Sequence, residues 1–519
     1  MASTFFGLTI AYSGLQAANT SLTITGHNVS NINTKGYTRQ QAGTQAADAL
    51  RTHTTYGAIG SGVVVTEISQ IRDSYYDVKY RNNMANYGQY SVKESYMGQI
   101  EDYLDEFTLN GYSQEYKNFF SAVNQLTITP GDTSAKNQLI NNAKSLADYF
   151  NTLTTNLRNV QADANNEIKD AVQQINSYAK NIAALNRQIN QIEANYGNAN
   201  DLRDKRNAMI DELSEIVNLE TSEEDMGNNV SNFSVRINGQ TLVSSYSYNT
   251  LETVARTDKK NYSDAEGLYD VQWNSGQKFD MYSTSLSGHL KGLIDIRDGN
   301  NGEHENIETD DDGNNVTDSD GNLVLTTAPA ADKTVSYKGV PYYQAQLNEF
   351  AKIFSDAVNK IMKSGYTSDG SSKGISLFVT QQNTTVMSAG NITVNPELLK
   401  NADLLAIKKE QNDGESDAKI MEELNKLQSE KIFAGGTGSY FLESIVSDMS
   451  IDSQKAVNLY KNYTDLKTSI HNQRLSIMGV DTDEEAMDMI KYQQAYNLNS
   501  KMMSVMNQIY DKLINQTGI

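Results

Sequence analysis

FFGLTIAYSGLQAANTSLTITGHNV, residues 5–29, is the stretch on which the fold turns. Phe5, Leu8, Tyr12, Leu15, Asn19, Leu22, Gly26 and Val29 recur at alternating steps of three and four, the spacing of a coiled-coil seam. The same rhythm returns at the far end of the 519 residues, in Leu498, Met502, Val505 and Ile509, with Leu513 just beyond. An isolated amphipathic helix has nothing to cover its apolar face and is marginal in water. The two stripes therefore need partners: each other, copies of the chain, or both.

Between these ends the pattern predicts long helices. Only four prolines interrupt the chain (Pro130, Pro329, Pro341 and Pro396). The first helix is expected over residues 4–32 and stops at NTKGY, where Gly36 can take a left-handed conformation. YGAIGSGVVVTEISQI (56–71) reads as extended, and helices are expected over 74–104 and 114–126. From Leu146 to Ile192 an apolar residue returns every three or four positions, with slips near Ile168 and Leu185, which predicts one helix over 133–196. At about 1.5 Å per residue that is roughly 90 Å, well beyond an ordinary globular helix. Phe233, Val235 and Ile237 then alternate up to Asn238-Gly239, a two-residue hairpin turn, and a β region follows. Residues 298–332 contain no lysine or arginine and read as an exposed acidic loop. Helices are expected again over 342–364, 439–478 and 483–516, the last two joined at Gly479.

The fold class is therefore mainly α with a β domain (α+β). The expected shape is elongated, with the N- and C-terminal helices paired in a coiled-coil rod and the central β domain projecting outward. The expected division is 1–55 with 483–519 as a terminal helical core, 56–225 with 342–482 as a long-helix rod, and 226–341 as an outer β domain.

Composition narrows the function. A net charge of −21 makes nucleic acid and anionic membrane surfaces poor partners. The absence of cysteine excludes disulfides and thiolate chemistry. MASTFFGLTIAYSG lacks the basic start and continuous apolar core of a secretory signal, so export by that route is not expected. His304-Glu305 opens like a zinc-protease motif, but Glu308 stands where the second histidine belongs. The acidic cluster at 310–322 fits a calcium loop neither from Glu308, which puts Ser319 at the twelfth position, nor from Asp318, which puts Pro329 there, and a solvated loop is the favoured reading. The five histidines share no motif with a nucleophile, so no enzyme activity, cofactor or metal is expected.

The sharpest local motif is Asn28-Val29-Ser30-Asn31, followed by Thr34, Gly36, Tyr37 and Arg39. Asparagines three apart near a helix end can hold loose carbonyls or reach a neighbouring chain. On spacing alone a plain C-terminal cap is the commoner case. Taken with SGLQAAN (13–19), YGAIGSGVVVTEISQIRDSYY (56–76) and MDMIKYQQAYNLNSKMMSVMNQIYDKL (487–513), which carries Gln493-Gln494-Ala495-Tyr496, the segment resembles the bacterial flagellar axial family of rod, hook and hook-associated proteins. NDLRDKR (200–206), NFSVRINGQTLV (232–243), GHLKGLIDIRD (288–298), QLNEFAKIFSDAVNKI (346–361) and ITVNPEL (392–398) are similar to the hook-associated branch in particular.

That resemblance implies a structural subunit at the junction of hook and filament, extracellular and exported unfolded by the flagellar type III apparatus. The implied partners are copies of itself in a helical layer, the hook protein, the second hook-associated protein and an export chaperone. The implied subunit contacts comprise Phe5, Leu8, Tyr12, Leu15, Leu22, Asn28, Val29, Asn31, Thr34, Gly36, Tyr37, Arg39, Gln493, Gln494, Tyr496, Leu498, Met502, Val505 and Ile509. The last four also stand as the chaperone's surface. A surface adhesin displayed by a coiled coil, or another axial protein of hook or rod, remains as an alternative.

Overall fold

The computed structural model describes residues 6–51, 58–104, 111–299, 303–310, 314–317, 323–329, 337–381, 386–414, 416–433 and 436–516. Eleven helices are seen among them: α1 (Phe6–Ser30), α2 (Ser74–Leu104), α3 (Tyr112–Ile128), α4 (Thr133–Glu193), α5 (Asn200–Ile216), α6 (His289–Asp298), α7 (Val340–Ser364), α8 (Pro396–Lys400), α9 (Lys419–Lys426), α10 (Gly438–Met478) and α11 (Thr482–Asn515). Strands are few and form small antiparallel sheets, so the protein is mainly α with some β. None of the described helices is long and apolar enough to cross a membrane. The chain divides into two compact units, Met1–Ala85, Ile175–Thr250 and Tyr463–Ile519 in the first, Asn86–Gln174 and Leu251–Asn462 in the second. The division falls within α2, α4 and α10, and it splits the 226–341 segment between Thr250 and Leu251.

The first unit holds both chain ends. After α1 the chain forms β1 (Gln40–Ala46), the short pair β2 (Leu50–Arg51) and β3 (Ala58–Ile59), and β4 (Val63–Gln70), which returns antiparallel along β1. Gly62 permits that return. Its φ of 108° lies in the left-handed region, and a Cβ there would stand 2.2 Å from Ser13 Oγ of α1. Little in the residues marks β1, because QQAGTQA does not alternate and carries a single β-branched residue, Thr44.

α4 starts where expected, with Asp132 Oδ1 accepting from Ser134 N at 2.8 Å. Within the first unit its buried seam runs Ile175, Ala179, Ile182, Asn186, Ile189, and Leu185 and Ile192 lie to the side. Asn186 replaces Leu185 because the sheet beside it needs a polar partner: its Nδ2 donates to Ser245 O at 2.9 Å and its Oδ1 accepts from Arg206 Nη1 at 3.1 Å. The helix ends at Glu193, and the chain turns away through Tyr196, which takes φ 61°, and Gly197, whose N–H returns to Ile192 O. NDLRDKR opens a separate helix, α5.

Strands β5 (Glu220–Asp225), β6 (Ser231–Ile237), β7 (Gln240–Ser244) and β8 (Ser247–Tyr248) make the only four-stranded sheet among the described residues. The expected hairpin is present, with Asn238 and Gly239 both at positive φ. Arg206 lies over the Phe233 ring at 3.8 Å, and burial pulls its guanidinium down to about 10 despite Glu223 nearby.

The second unit is built on an aromatic core. Phe350 of α7 stacks on Phe433 at 5.0 Å and on Phe150 of α4 at 5.2 Å, and Tyr116, Phe119 and Phe120 of α3 close around Phe354. Strands β9 (Leu251–Ala255) and β10 (Tyr269–Trp273) pair beside α6. Asp298, buried at the end of α6 and paired with the buried Arg297, meets Arg256 and Tyr282 there. The acidic 298–332 segment is not wholly loop, for β11 (Glu303–Ile307) pairs with β12 (Leu325–Pro329). His304 and Glu305 thus lie on a strand, not on the helix a zinc-protease motif requires. Two further ladders join β13 (Tyr366–Thr367) to β16 (Ala406–Lys408) and β14 (Phe378–Thr380) to β15 (Ile392–Val394).

Candidate assembly surface

The terminal helices α1 and α11 pack on each other within the first unit. They run antiparallel. A Cβ on Gly7 would meet Met506 Cε at 2.6 Å, one on Gly14 would meet Asn499 Oδ1 at 2.7 Å, and Asn28 Nδ2 donates to Glu485 Oε1 at 3.1 Å. Steps of seven and fourteen along α1 are matched by equal steps backward along α11.

The faces in contact are not the ones hydropathy selects. On α1 the inward seam is Gly7, Ala11, Gly14, Ala18, Ser21, Thr25 and Asn28, a seven-residue repeat of small and polar side chains. On α11 the less exposed positions are Glu485, Asp488, Tyr492, Ala495, Asn499, Met503, Met506 and Tyr510, with Tyr496 beside them. Small residues let two backbones approach closely, so each helix covers the other without using its apolar stripe.

Those stripes are left outside. Leu498 is 69% exposed, and Met502, Val505, Ile509 and Leu513 are exposed beside it. On α1, Tyr12 and Val29 are exposed, and Leu8, Leu15 and Leu22 are half-buried. Phe5 lies outside the described residues. Gln493 and Gln494 are exposed, and Tyr496 is half-buried against α1's side of the pair.

The motif after α1 turns inward instead. Asn28 is 1% exposed. Its Nδ2 donates to Gln40 O at 2.9 Å as well as to Glu485, and its Oδ1 accepts from Gln40 N at 3.0 Å and from Tyr37 Oη at 2.8 Å. Both donors and both lone pairs of the amide are used. Tyr37 also meets His27 Nδ1 at 2.9 Å, and burial beside Asp201 and Asp204 raises its hydroxyl pKa, keeping it a neutral donor. Arg39 pairs with Glu485 through Nε and Glu484 through Nη1, each at 2.6 Å, and its backbone N–H bonds Met478 O at 2.9 Å. Thr38 donates to Asp204 from N and Oγ1, at 2.9 and 2.7 Å. Gly36 sits at φ 82°, as the turn requires. Asn31 and Thr34 behave as a cap, with Asn31 Nδ2 donating to His27 O at 3.0 Å and Thr34 Oγ1 donating to Asn31 Oδ1 at 3.1 Å.

The motif therefore fastens the end of α1 to the start of α11. That start is itself well capped: Asp481 accepts from Asp483 N and Glu484 N, and three acids occupy the first turn, where the helix dipole favours them. Asn28 is buried and Tyr37 and Arg39 are half-buried, and all three position the two helices against each other. Of the residues that hold the pair together, Asn28 stands in the sequence motif, whereas Glu485 and the seam positions Gly7, Ala11, Gly14, Ala18, Ser21 and Thr25 do not. The seam's seven-residue repeat is one of small and polar residues, which a hydropathy pattern does not reveal, and Glu485 carries no local signal.

Within the first unit the terminal helices are paired and their apolar stripes are uncovered, the α11 stripe most of all. Residues 97–378, more than half of the chain, match the model described as the flagellar hook-associated protein FlgK helical domain. The chain belongs to that family. Residues 471–516 also match the flagellar basal body rod FlgEFG protein C-terminal model. Flagellar hook-associated protein 1 of Bacillus subtilis is 27% identical, over 100% of this chain and 99% of its own length. The protein of the same name from Salmonella typhimurium is 28% identical over 97% and 98%. A solved structure, that of the flagellar hook junction protein FlgK from Burkholderia pseudomallei, superposes with a TM-score of 0.58 at 15% identity, covering 77% of this chain and 100% of that one. The chain is thus a structural, non-enzymatic component of the bacterial flagellum, and neither the adhesin reading nor a hook or rod protein is favoured.

Proposed function

We propose that the chain forms the junction between hook and filament, polymerising through α1 and α11 into a layer of identical subunits. The observation that carries this reading is the uncovered stripe Leu498–Met502–Val505–Ile509, on a helix whose opposite face is already packed. In the assembled layer the paired helices continue as a coiled-coil rod, the 226–341 region projects outward, and Leu8, Tyr12, Leu15, Leu22 and Val29 meet neighbouring copies. The hook protein lies on one side and the second hook-associated protein on the other. Export follows the flagellar type III route, with a chaperone covering Leu498, Met502, Val505 and Ile509 until secretion. Burying an aliphatic side chain contributes roughly 1.5–3 kcal/mol.

The test is Leu498→Asp combined with Val505→Asp in purified protein, which separates self-assembly from chaperone binding. Both positions are exposed, so the free chain should keep its helix content and thermal stability. Losing about 3–6 kcal/mol per contact should weaken addition to isolated hooks by roughly a hundredfold or more. Normal addition of the double variant would overturn the proposal.

A further inference from the structure

The second unit encloses a pocket of about 490 Å³ between the Asn86–Lys93 stretch of α2, residues 284–291, Tyr337–Lys338 and the Asp452–Ala456 stretch of α10. In a chain with 64 acidic and 43 basic residues, its lining has the opposite balance. Lys93, Lys291, Lys338 and Lys455 face it, against the carboxylates of Asp295 and Asp452. Lys93 and Lys291 are 4% and 3% exposed, and both lean on the same acid, at 2.6 Å from Asp295 Oδ2 and 3.0 Å from Asp295 Oδ1. One carboxylate cannot neutralise two ammonium groups. Gln89 Nε2 donates to Oδ2 of that same carboxylate at 3.2 Å. Asp452 is engaged by Tyr343 Oη at 3.0 Å, and Lys338 is held at 2.8 Å by Asp448, which lies outside the lining. Lys455 is exposed and has no side-chain partner among the described residues. Counting Asp448 with the lining, the pocket keeps a surplus of one positive charge, and two of its cations are almost wholly removed from water.

We propose that this pocket binds a small tetrahedral oxyanion of the phosphate or sulfate type. An ammonium carries three donors. Lys93 directs one at Asp295 and sets its charge 3.9 Å from the Tyr337 ring centre, and Lys291 donates one to Met281 O while its charge stands 3.0 Å from Asp295 Oδ1, so each retains a donor for an anion. Lys455 at the mouth adds a third cation. The hydroxyl-bearing stretch Thr284–Ser287 borders the same space and suits the outer oxygens of such a ligand. The buried Tyr337 hydroxyl lacks a hydrogen-bond partner among the described residues, a mark of a polar site whose set of bonds is incomplete. Burial and the neighbouring Lys291 and Lys455 depress the Lys93 pKa, and an anion would relieve that strain. The inference stands apart from the assembly role, because it concerns only the second unit.

Inorganic phosphate titrated into the full-length chain, followed calorimetrically and by ³¹P line broadening, should show one saturable site. Sulfate in a parallel arm should compete for it if charge and shape alone are recognised, and phosphate saturation without sulfate competition would narrow the ligand to phosphate. Lys455→Ala, at an exposed position that leaves packing intact, should weaken binding by about tenfold, the scale of one charge-assisted hydrogen bond. Lys93→Met should abolish it. Lys35→Ala, in the first unit, should leave it unchanged. No saturable binding of either anion by the wild-type chain, or equal binding by wild type and Lys455→Ala, would overturn the proposal.

Discussion

Replacing Asn28 by alanine tests the idea that one amide fastens the two chain ends. Gln40 pairs with Gln70 in the β1–β4 ladder, while the neighbouring Ile71 N–H bonds Arg39 O. Gln40 therefore occupies a position whose own N–H and C=O face away from β4, and Asn28 receives both. Alanine would leave these two buried backbone groups without a partner. Glu485 would keep Arg39, and Tyr37 would keep His27. At roughly 1–3 kcal/mol for each orphaned group, and with some relief from entering water, the loss is about 2–4 kcal/mol. Such a loss is a large part of a typical domain stability of about 5–15 kcal/mol. It should appear as local opening, because among the described residues Asn28 alone bonds the end of α1 to the backbone of β1. Hydrogen exchange followed by mass spectrometry reads it directly: amides of 6–30 and 482–515 should open roughly thirty to several hundred times more often, while those of α7 stay unchanged. A change below about threefold in the terminal helices would show that the amide is dispensable and that the seam alone holds them.

Two other perturbations follow from the packing. Gly14→Ala should be nearly neutral, since turning Asn499 aside costs about as much as the ~1 kcal/mol of helix propensity gained, whereas Gly14→Leu should force the seam open at a further ~1–3 kcal/mol. Equal exchange rates for the two variants would contradict the close approach. In the second unit, Arg256 and Arg297 hold the Asp298 carboxyl well below the usual carboxylate range, although burial alone would raise it. A depressed folded pKa stabilises above the unfolded value near 3.8, and that stability is lost as pH falls through the folded pKa. Asp264, raised by burial, works in the opposite sense and softens the acid limb. Asp298→Asn should cost about 3–5 kcal/mol at neutral pH and flatten the fall of melting temperature below pH 4, and an unchanged acid limb would refute the assignment.

Much of this was legible in the residues themselves. The helices at 74–104, 133–193 and 438–478 follow from apolar periodicity and from sparse proline, and the Asn238-Gly239 turn from its dipeptide. What escaped was non-local. β1 is a polar segment made a strand by β4, Asn186 displaces Leu185 because Ser245 and Arg206 lie beside it, and Arg39 finds Glu485 446 residues away. No window of sequence contains both members of such a pair. The surface stripes were legible for the same reason that the inner seam was not: periodicity weighted by hydropathy responds to Leu, Tyr and Val, and passes over a repeat of Gly, Ala, Ser and Thr.

That division between seam and stripe has an energetic meaning. Glycine, alanine and serine remove little apolar area from water, so α1 brings little hydrophobic free energy of its own to the α1–α11 pairing, which rests on close contact and on the polar fastening at Asn28, Arg39 and Glu485. The large aliphatic side chains, which would contribute most per residue, are the ones left in contact with water. A subunit arranged in the reverse way, with Leu498 and Val505 inside and Gly7 and Gly14 outside, would complete itself and have little to gain from a neighbour. In the arrangement observed, the paired helices are shaped in advance at small cost, and the greater part of their hydrophobic free energy is released only when another surface covers them.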